Sequence, residues 1–155
     1  MISFEILGKP LGKARPRMNT YTGKAYTPTK TVNYENFVKL CFIQKYKNFI
    51  PLETTLKAKI TAYFEVPASY SKKKKKELIG QPCAKKPDID NIVKIIFDSL
   101  NKLAYKDDNQ IAKLEIEKRY GEQAKVIVEL ENFLEWYVKE WAYESIRIIC
   151  WRWCL

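Results

Sequence analysis

Histidine is absent from this 155-residue sequence. The absence excludes a Ser-His-Asp triad, a Cys-His dyad, histidine-ligated zinc and any histidine general base. Any chemistry performed by this chain must therefore depend on carboxylates, lysine, tyrosine, cysteine or a metal ion that is bound through oxygen.

Closely spaced cysteine motifs and long apolar runs are also missing. The four cysteines form no Cys-x-x-Cys motif, which argues against a zinc ribbon or a thioredoxin-type site. We therefore expect reduced thiols, as is usual in a reducing cytosol. No signal-peptide pattern is seen at the amino terminus, and no uncharged apolar run approaches the ~20 residues of a membrane span. These features predict a cytoplasmic protein without a membrane segment.

Positive charge dominates what is present. There are 28 Lys and Arg against 18 Asp and Glu, a net charge of +10 at pH 7. The length suits one domain, and the 46% hydrophobic and 30% charged content is typical of a globular chain. Such an excess of positive charge favours a polyanionic partner, either nucleic acid or an acidic membrane surface.

The last 23 residues differ in kind from the rest. They contain all four tryptophans, and their three acidic and three basic residues cancel, so the whole +10 lies in residues 1–132. We therefore divide the chain into a domain over 1–132 and a hydrophobic, aromatic-rich helical extension over 133–155. Three interpretations of the extension stay open: a helix packed on the domain or on a second subunit, a membrane-surface helix, or a segment foreign to the domain.

Hydrophobic periodicity predicts both strands and helices, and hence a fold that mixes the two. Strands are expected over 2–7 and 56–66, and a hairpin over 111–120 and 124–131 with its turn at Gly121-Glu122. Helices are expected from a cap at Thr29 or Thr31 to about residue 48, from Ser69 or Ser71 to Gly80, and over 89–103.

The densest polar feature is the segment 85–111, KKPDIDNIVKIIFDSLNKLAYKDDNQI. At 100° per residue, one helix face carries Asp90, Lys94, Asp98 and Asn101. The opposite face is aliphatic and carries Ile92, Ile95, Ile96, Leu100 and Leu103. Asp88 lies just before the helix, where two interpretations compete: ordinary N-capping by Asp, or a site for a hard cation such as Mg²⁺.

A second acidic pair, Asp107-Asp108, follows one helix length later. A helix of about 14 residues is ~20 Å long, so Asp108 can approach Asp88 only from another layer of the fold or from a symmetry-related subunit. The acidic cluster is bracketed by positive charge, which suits a nuclease whose lysines hold the phosphate backbone. We expect DNA contacts from Lys13, Arg15, Arg17, Lys73, Lys76, Lys85 and Lys86.

The run Pro87-Asp88-Ile89-Asp90-Asn91, followed by Lys94, Phe97-Asp98, Leu100 and Asp107-Asp108-x-Gln110-Ile111, resembles the RusA family of Holliday junction resolvases. The opening Gly8-x-Pro10 with Arg15-Pro16-Arg17 is also similar, so the resemblance spans roughly residues 2–131.

The resemblance implies a small α/β (α+β) fold, with a mixed β-sheet flanked by helices, that forms a homodimer with active sites near the subunit interface. Such a protein, bacterial or prophage-encoded, would cut four-way DNA junctions by paired nicks during recombination and repair, with Mg²⁺ or Mn²⁺ as cofactor. Asp88, Asp90 and Asp108 would be the acidic catalytic residues and metal ligands, and Lys94 the essential lysine. The spacing leaves Asp107 open as an alternative to Asp108.

Other classes explain less of the sequence. A restriction-type nuclease would share Pro87-Asp88, but the chain has no Asp/Glu-x-Lys triplet, the nearest being Glu117-Lys118-Arg119. A non-catalytic DNA-binding module accounts for the charge and gives no reason for the acidic cluster. A membrane-surface protein would use the extension and the lysine run. Chelation separates the binding module from the resolvase, since a binding module would hold DNA equally well in EDTA and never nick it.

Overall fold

The computed structural model describes residues 1–134, so all but the first two residues of the predicted extension lie outside it. The strands are β1 (Ile2–Leu7), β2 (Arg17–Met18), β3 (Ala25–Tyr26), β4 (Leu56–Glu65), β5 (Ile111–Gly121) and β6 (Lys125–Asn132). The helices are α1 (Thr29–Lys45), α2 (Lys72–Leu78) and α3 (Ile89–Leu100), and a 3₁₀ turn covers Asp108–Gln110.

A four-stranded mixed sheet in the order β1-β6-β4-β5 forms the centre of the fold. β4 runs parallel to β5, and β6 runs antiparallel to both β1 and β4. This architecture confirms the predicted α+β fold. The alternation predicted for β4 is also confirmed, because every second side chain is buried: Leu56, Ala58, Ile60, Ala62 and Phe64.

Helices α1 and α3 pack against each other and against the sheet. Phe42 of α1 meets Phe4 of β1 edge to face, with ring centroids 5.5 Å apart. The predicted aliphatic face of α3 is confirmed, because Ile92, Ile95, Ile96 and Leu100 are fully buried. Burying such side chains stabilises the fold by ~1.5–3 kcal/mol each relative to exposure. The polar face of the same helix is thereby turned outward.

The predicted hairpin of β5 and β6 is wrong, because β4 lies between the two strands. The connection from Gly121 to Lys125 therefore crosses the end of β4, a span of about 10 Å at ~4.8 Å per strand, which four residue steps can cover. Gly121 permits the crossing, since a Cβ there would lie 3.1 Å from the Cβ of Tyr63. By this arrangement β4, whose core-facing side chains are all apolar, has a neighbouring strand on both edges.

Two helix boundaries also differ from the prediction. Helix α3 ends at Leu100 rather than near 103, because Asn101 has a non-helical ψ of 133° and Lys102 then adopts a left-handed backbone with φ of 62°. Helix α1 has Pro28 at its N-cap position without a side-chain cap, so neither Thr29 nor Thr31 caps it. The cap predicted for α2 is confirmed, since the Ser71 hydroxyl accepts a hydrogen bond from the Lys74 amide.

The segment that leads into α3 is attached to the outer edge of β5. The Gly80 amide donates to the Tyr120 carbonyl at 2.8 Å, the Tyr120 amide to Gln81 at 2.9 Å, and the Cys83 amide to Lys118 at 2.9 Å. These bonds fix where the chain enters α3. Among residues 1–134, no helix has both the length and the apolar character that a bilayer crossing requires.

Candidate active site

Asp88 and Asp90 stand at the amino-terminal end of α3. Asp88 occupies the N-cap position, with φ of −71° and ψ of 155°, yet its side chain makes no capping hydrogen bond. The Asp90 carboxylate lies in the first turn and accepts only a long contact of 3.4 Å from the Asn91 amide group. Both side chains are exposed. The capping interpretation therefore lacks the hydrogen bond that defines it, and both carboxylates remain available to a cation.

Asp90, Lys94 and Asp108 open onto the same groove. This groove has a volume of about 570 Å³ and follows the exposed face of α3, with Phe97 and Asp98 further along it. Asp108 reaches it from the 3₁₀ turn that precedes β5, because β5 lies beside α3 in the fold. A separate layer of the same chain thus brings the second acidic pair toward the helix.

Asp88 faces a different groove. It lines a larger depression, of about 700 Å³, with Lys13, Lys86 and Asn91. Within residues 1–134, no three acidic or cysteine side chains come close enough together to hold one metal ion. The single chain therefore brings Asp90 and Asp108 to one groove and leaves Asp88 at its neighbour.

Asp107 and Asp108 have different roles in the structure. The Asp107 carboxylate caps the 3₁₀ turn and accepts a hydrogen bond from the Asn109 amide at 3.3 Å. Gln110 completes a capping box by accepting from the Asp107 amide at 2.9 Å, and its own amide group donates to Leu52 and Thr54 carbonyls at 3.0 Å. Asp107 is thus occupied by the backbone, and Asp108 is the member of the pair that lines the groove.

Negative charge is concentrated around Asp108. A hydrogen bond with the Asp107 side chain raises the pKa of the Asp108 carboxyl, with further contributions from partial burial and from the charges of Asp107 and Asp98. Crowded carboxylates of this kind disfavour their own ionisation, and a bound cation relieves them. The electrostatics of this groove therefore suit a positive ligand.

Lys94 lies one helical turn beyond Asp90, with an exposed side chain. In the described part of the chain its ammonium group has no ion-pair partner. A cation held beside a carboxylate pair, and not neutralised by it, can stabilise negative charge on a bound phosphate.

Lys13 is paired with carboxylates inside the chain. Its ammonium group contacts Glu35 of α1 and Asp98 of α3, the latter at 2.9 Å, while its backbone amide donates to the Asn91 carbonyl at 2.8 Å. Partial burial disfavours the charged ammonium, but the hydrogen bonds to Glu35 and Asp98 outweigh it and raise the Lys13 pKa. Lys13 therefore ties the amino-terminal segment to both helices, and its predicted DNA contact stays a prediction.

The other predicted DNA-binding residues fall in three places. Arg15 and Arg17 are exposed in and before the small β2–β3 hairpin, and Lys73 and Lys76 are exposed on α2. Lys85 donates to the Glu65 carbonyl at 3.1 Å and lies 5.0 Å from the centroid of the Tyr120 ring. Lys86 borders the groove of Asp88.

Lys118 is not among the site residues that the sequence predicted. It stands on β5 in register with Ala62 of β4, on the side of the sheet that faces the core, after Leu114 and Ile116 at alternate positions. Its ammonium group donates to the carbonyls of Lys85 and Pro87, at 2.7 and 3.1 Å. A charged residue at an apolar position of an alternating strand is the signal that would have singled it out.

Two matches with known proteins cover most of the chain. The family model described as endodeoxyribonuclease RusA matches residues 8–131. The chain is also similar to the uncharacterized protein YqaN of Bacillus subtilis (strain 168), with 35% identity over 133 residues, covering 82% of this chain and 93% of YqaN. The matched residues include α3, the Asp107-Asp108 pair, β4, β5 and all of β6 except its last residue, whereas β1 lies just before the matched range.

Proposed function

The chain belongs to the RusA endodeoxyribonuclease family, and we propose that it resolves four-way DNA junctions by metal-dependent hydrolysis of paired phosphodiester bonds. The observation that carries this proposal is the pair of carboxylates, Asp88 and Asp90, at the start of α3, where the N-cap residue Asp88 makes no capping hydrogen bond. A module that only binds DNA has no use for exposed carboxylates at the centre of a basic surface, because they repel phosphate. We place the activity in bacterial DNA recombination and repair, in the cytoplasm.

Asp88, Asp90 and Asp108 are the residues that would hold Mg²⁺ or Mn²⁺. Their carboxylate oxygens are the donors that these hard cations prefer. The pKa of the Asp108 carboxyl is raised first by a hydrogen bond with Asp107, and the charges of Asp107 and Asp98, which a cation would offset, raise it further. When bound, the metal ion would supply a water of lowered pKa at neutral pH. Lys94 would contribute an ammonium group directed at the scissile phosphate, where charge grows in the transition state.

We propose that the active form is a homodimer. Asp88 opens onto a different groove from Asp90 and Asp108, so a second copy would help to complete each site. The outer face of α1 is the surface we assign to that copy. It carries four large apolar side chains that are 38% to 53% exposed: Val32, Phe37, Leu40 and Ile43. Between them lie only uncharged residues, Thr29, Asn33, Asn36 and Gln44.

Cleavage of a synthetic four-way junction tests the function directly. The junction and a linear duplex of the same sequence are incubated with the protein in Mg²⁺, in Mn²⁺ and in EDTA. We expect symmetric nicks in the junction only when metal is present. Binding of equal strength in metal and in EDTA, with no nicking of either substrate, would instead identify a non-catalytic DNA-binding module.

Substitution of Leu40 by Glu tests the dimer surface. Because Leu40 is 53% exposed on the neutral face of α1, Leu40→Glu should leave the fold intact and convert the dimer to a monomer. Ile79→Glu is the matched control, since Ile79 is 38% exposed after α2. Light scattering gives the mass of each variant. A monomeric wild-type protein would contradict the homodimer, and a dimeric Leu40→Glu would contradict the assigned surface.

Junction binding should depend strongly on salt. If the basic residues neutralise ~6 phosphates, the slope of log K against log salt should be about −5. The double variant Lys73→Gln/Lys76→Gln should make the slope shallower by about 2, because each lysine that contacts a phosphate contributes about 1. Lys47→Gln/Lys102→Gln removes the same charge beyond the carboxyl ends of α1 and α3, and should leave the slope nearly unchanged. Equal slopes for the two double variants would contradict the assignment of α2 to the DNA interface.

A further inference from the structure

Lys118 holds the segment that precedes Asp88. The backbone attachment of this segment to β5 ends at Cys83, whose amide donates to the Lys118 carbonyl at 2.9 Å. Beyond Cys83 the chain leaves the strand edge and turns toward α3. The Lys118 side chain continues the attachment, because its ammonium group donates to the carbonyls of Lys85 at 2.7 Å and Pro87 at 3.1 Å.

The second of these bonds is made to the residue immediately before Asp88. Pro87 has no amide hydrogen, so the backbone around it has fewer ways to bind to its surroundings. A hydrogen bond from an ammonium group is about twice as strong as one between neutral groups. Lys118 is half-buried beside the core and 6.0 Å from the Phe64 ring centroid, so its position is set by the sheet.

We propose that Lys118 is a positioning residue for the metal-binding carboxylates: by binding the Lys85 and Pro87 carbonyls it fixes the direction in which Asp88 leaves the strand edge. The inference rests on the proposed nuclease function. Lys118 does not touch substrate or metal in this role. It acts through the backbone, and its loss should weaken metal binding because the Asp88 carboxylate would no longer be held in one position.

The variant Lys118→Met tests this role, because methionine is apolar, flexible and similar in length. We expect the half-saturating Mg²⁺ concentration for junction cleavage to rise by about 10–100-fold, the range seen when groups that orient metal ligands are removed. Affinity for the junction in EDTA should be unchanged. Mn²⁺ binding, followed by the loss of the electron paramagnetic resonance signal of free Mn²⁺, should weaken by a similar factor without any reference to activity.

Lys118→Arg should restore part of the lost metal affinity, since it keeps a positive donor but cannot place one nitrogen between both carbonyls in the same way. Lys113→Met is the matched control on the outward side of the same strand, where Lys113 pairs with Glu115 at 3.6 Å. It should behave as the wild type. If Lys118→Met does not fold, as judged by circular dichroism, Lys118→Gln takes its place, because its neutral amide retains one donor group.

The outcomes separate the two proposals. A wild-type protein that cuts the junction, together with a Lys118→Met variant of unchanged half-saturating Mg²⁺ and unchanged Mn²⁺ affinity, would overturn the positioning role alone. Equal losses in Lys118→Met and Lys113→Met would also overturn it, since the effect would then not depend on the two carbonyl bonds. A wild-type protein that never cuts the junction would overturn the nuclease function itself.

Discussion

Asp90→Asn abolishes junction cleavage and leaves junction binding intact or tighter: this is the result we expect from the position of Asp90 at the start of α3. The substitution keeps the size of the side chain and removes one negative charge. Cleavage should fall because a metal ligand is lost, whereas binding should not, because repulsion of the phosphate backbone is reduced. Single-turnover cleavage of a junction saturated with protein gives the cleavage rate constant, and a titration of the junction in EDTA gives the binding affinity.

Asp98→Asn is the matched control for this experiment. Asp98 lies on the same face of α3, two turns further along, and its carboxylate is bound to Lys13 at 2.9 Å. We expect it to retain most of the cleavage rate and to lose less than ~1 kcal/mol of unfolding free energy, as is typical of a partly exposed ion pair. A fully active Asp90→Asn variant would contradict the role of Asp90 as a metal ligand, and Asp90 would then only be an acidic residue in the first turn of the helix.

Short-range sequence patterns predict those features of the α+β fold that depend on a single strand or helix. The alternation of β4 and the aliphatic face of α3 were predicted because each depends on side chains within a single strand or helix. The pairing of β5 with β6 was not, because strand order depends on competition between strands. β4 is buried on one face over its whole length and pairs on both edges, so it displaces β6 from the edge of β5.

The sequence also predicted those residues of the candidate site that belong to one helix, and not those that packing between layers adds. The polar face of α3 identified Asp90 and Lys94, and both line the groove that the structure contains. Asp108 joins them because β5 packs next to α3, a contact between layers that periodicity does not encode. For Lys118, the alternation of β5 could have drawn attention to a charged residue at an apolar position. Its role could not be predicted, because its partners are two backbone carbonyls and the sequence carries no mark of which carbonyls a lysine will meet.

Asp107 and Asp108 offer a direct test of which acidic residue acts. The sequence leaves the two open, but the structure gives Asp107 to the capping box of the 3₁₀ turn and directs Asp108 to the groove of Asp90 and Lys94. The variants Asp107→Asn and Asp108→Asn change the charge equally, one residue apart. Asparagine is also a good capping residue, so Asp107→Asn should preserve the turn.

We expect Asp108→Asn to abolish cleavage and Asp107→Asn to retain most of it. Asp108→Asn should not lower the unfolding free energy at neutral pH, because the neighbouring Asp107 raises the pKa of the Asp108 carboxyl and makes its ionised form unfavourable in the folded state. For the same reason, the contribution of Asp108 to stability should improve as the pH falls through its raised pKa, since the folded state then binds the proton more readily than the unfolded chain does.

Asp107→Ala tests the capping role of Asp107 separately from its charge. Loss of the cap should cost about 1 kcal/mol of unfolding free energy, measured by urea denaturation, and the turn that presents Asp108 should loosen with it. Asp107→Ala is therefore expected to impair cleavage more than Asp107→Asn, although both remove the same carboxylate. If Asp107→Asn instead abolished cleavage while Asp108→Asn cut at the wild-type rate, the roles of the two residues would be reversed. The capping box would then be a feature of the metal-free protein that opens when the cation binds.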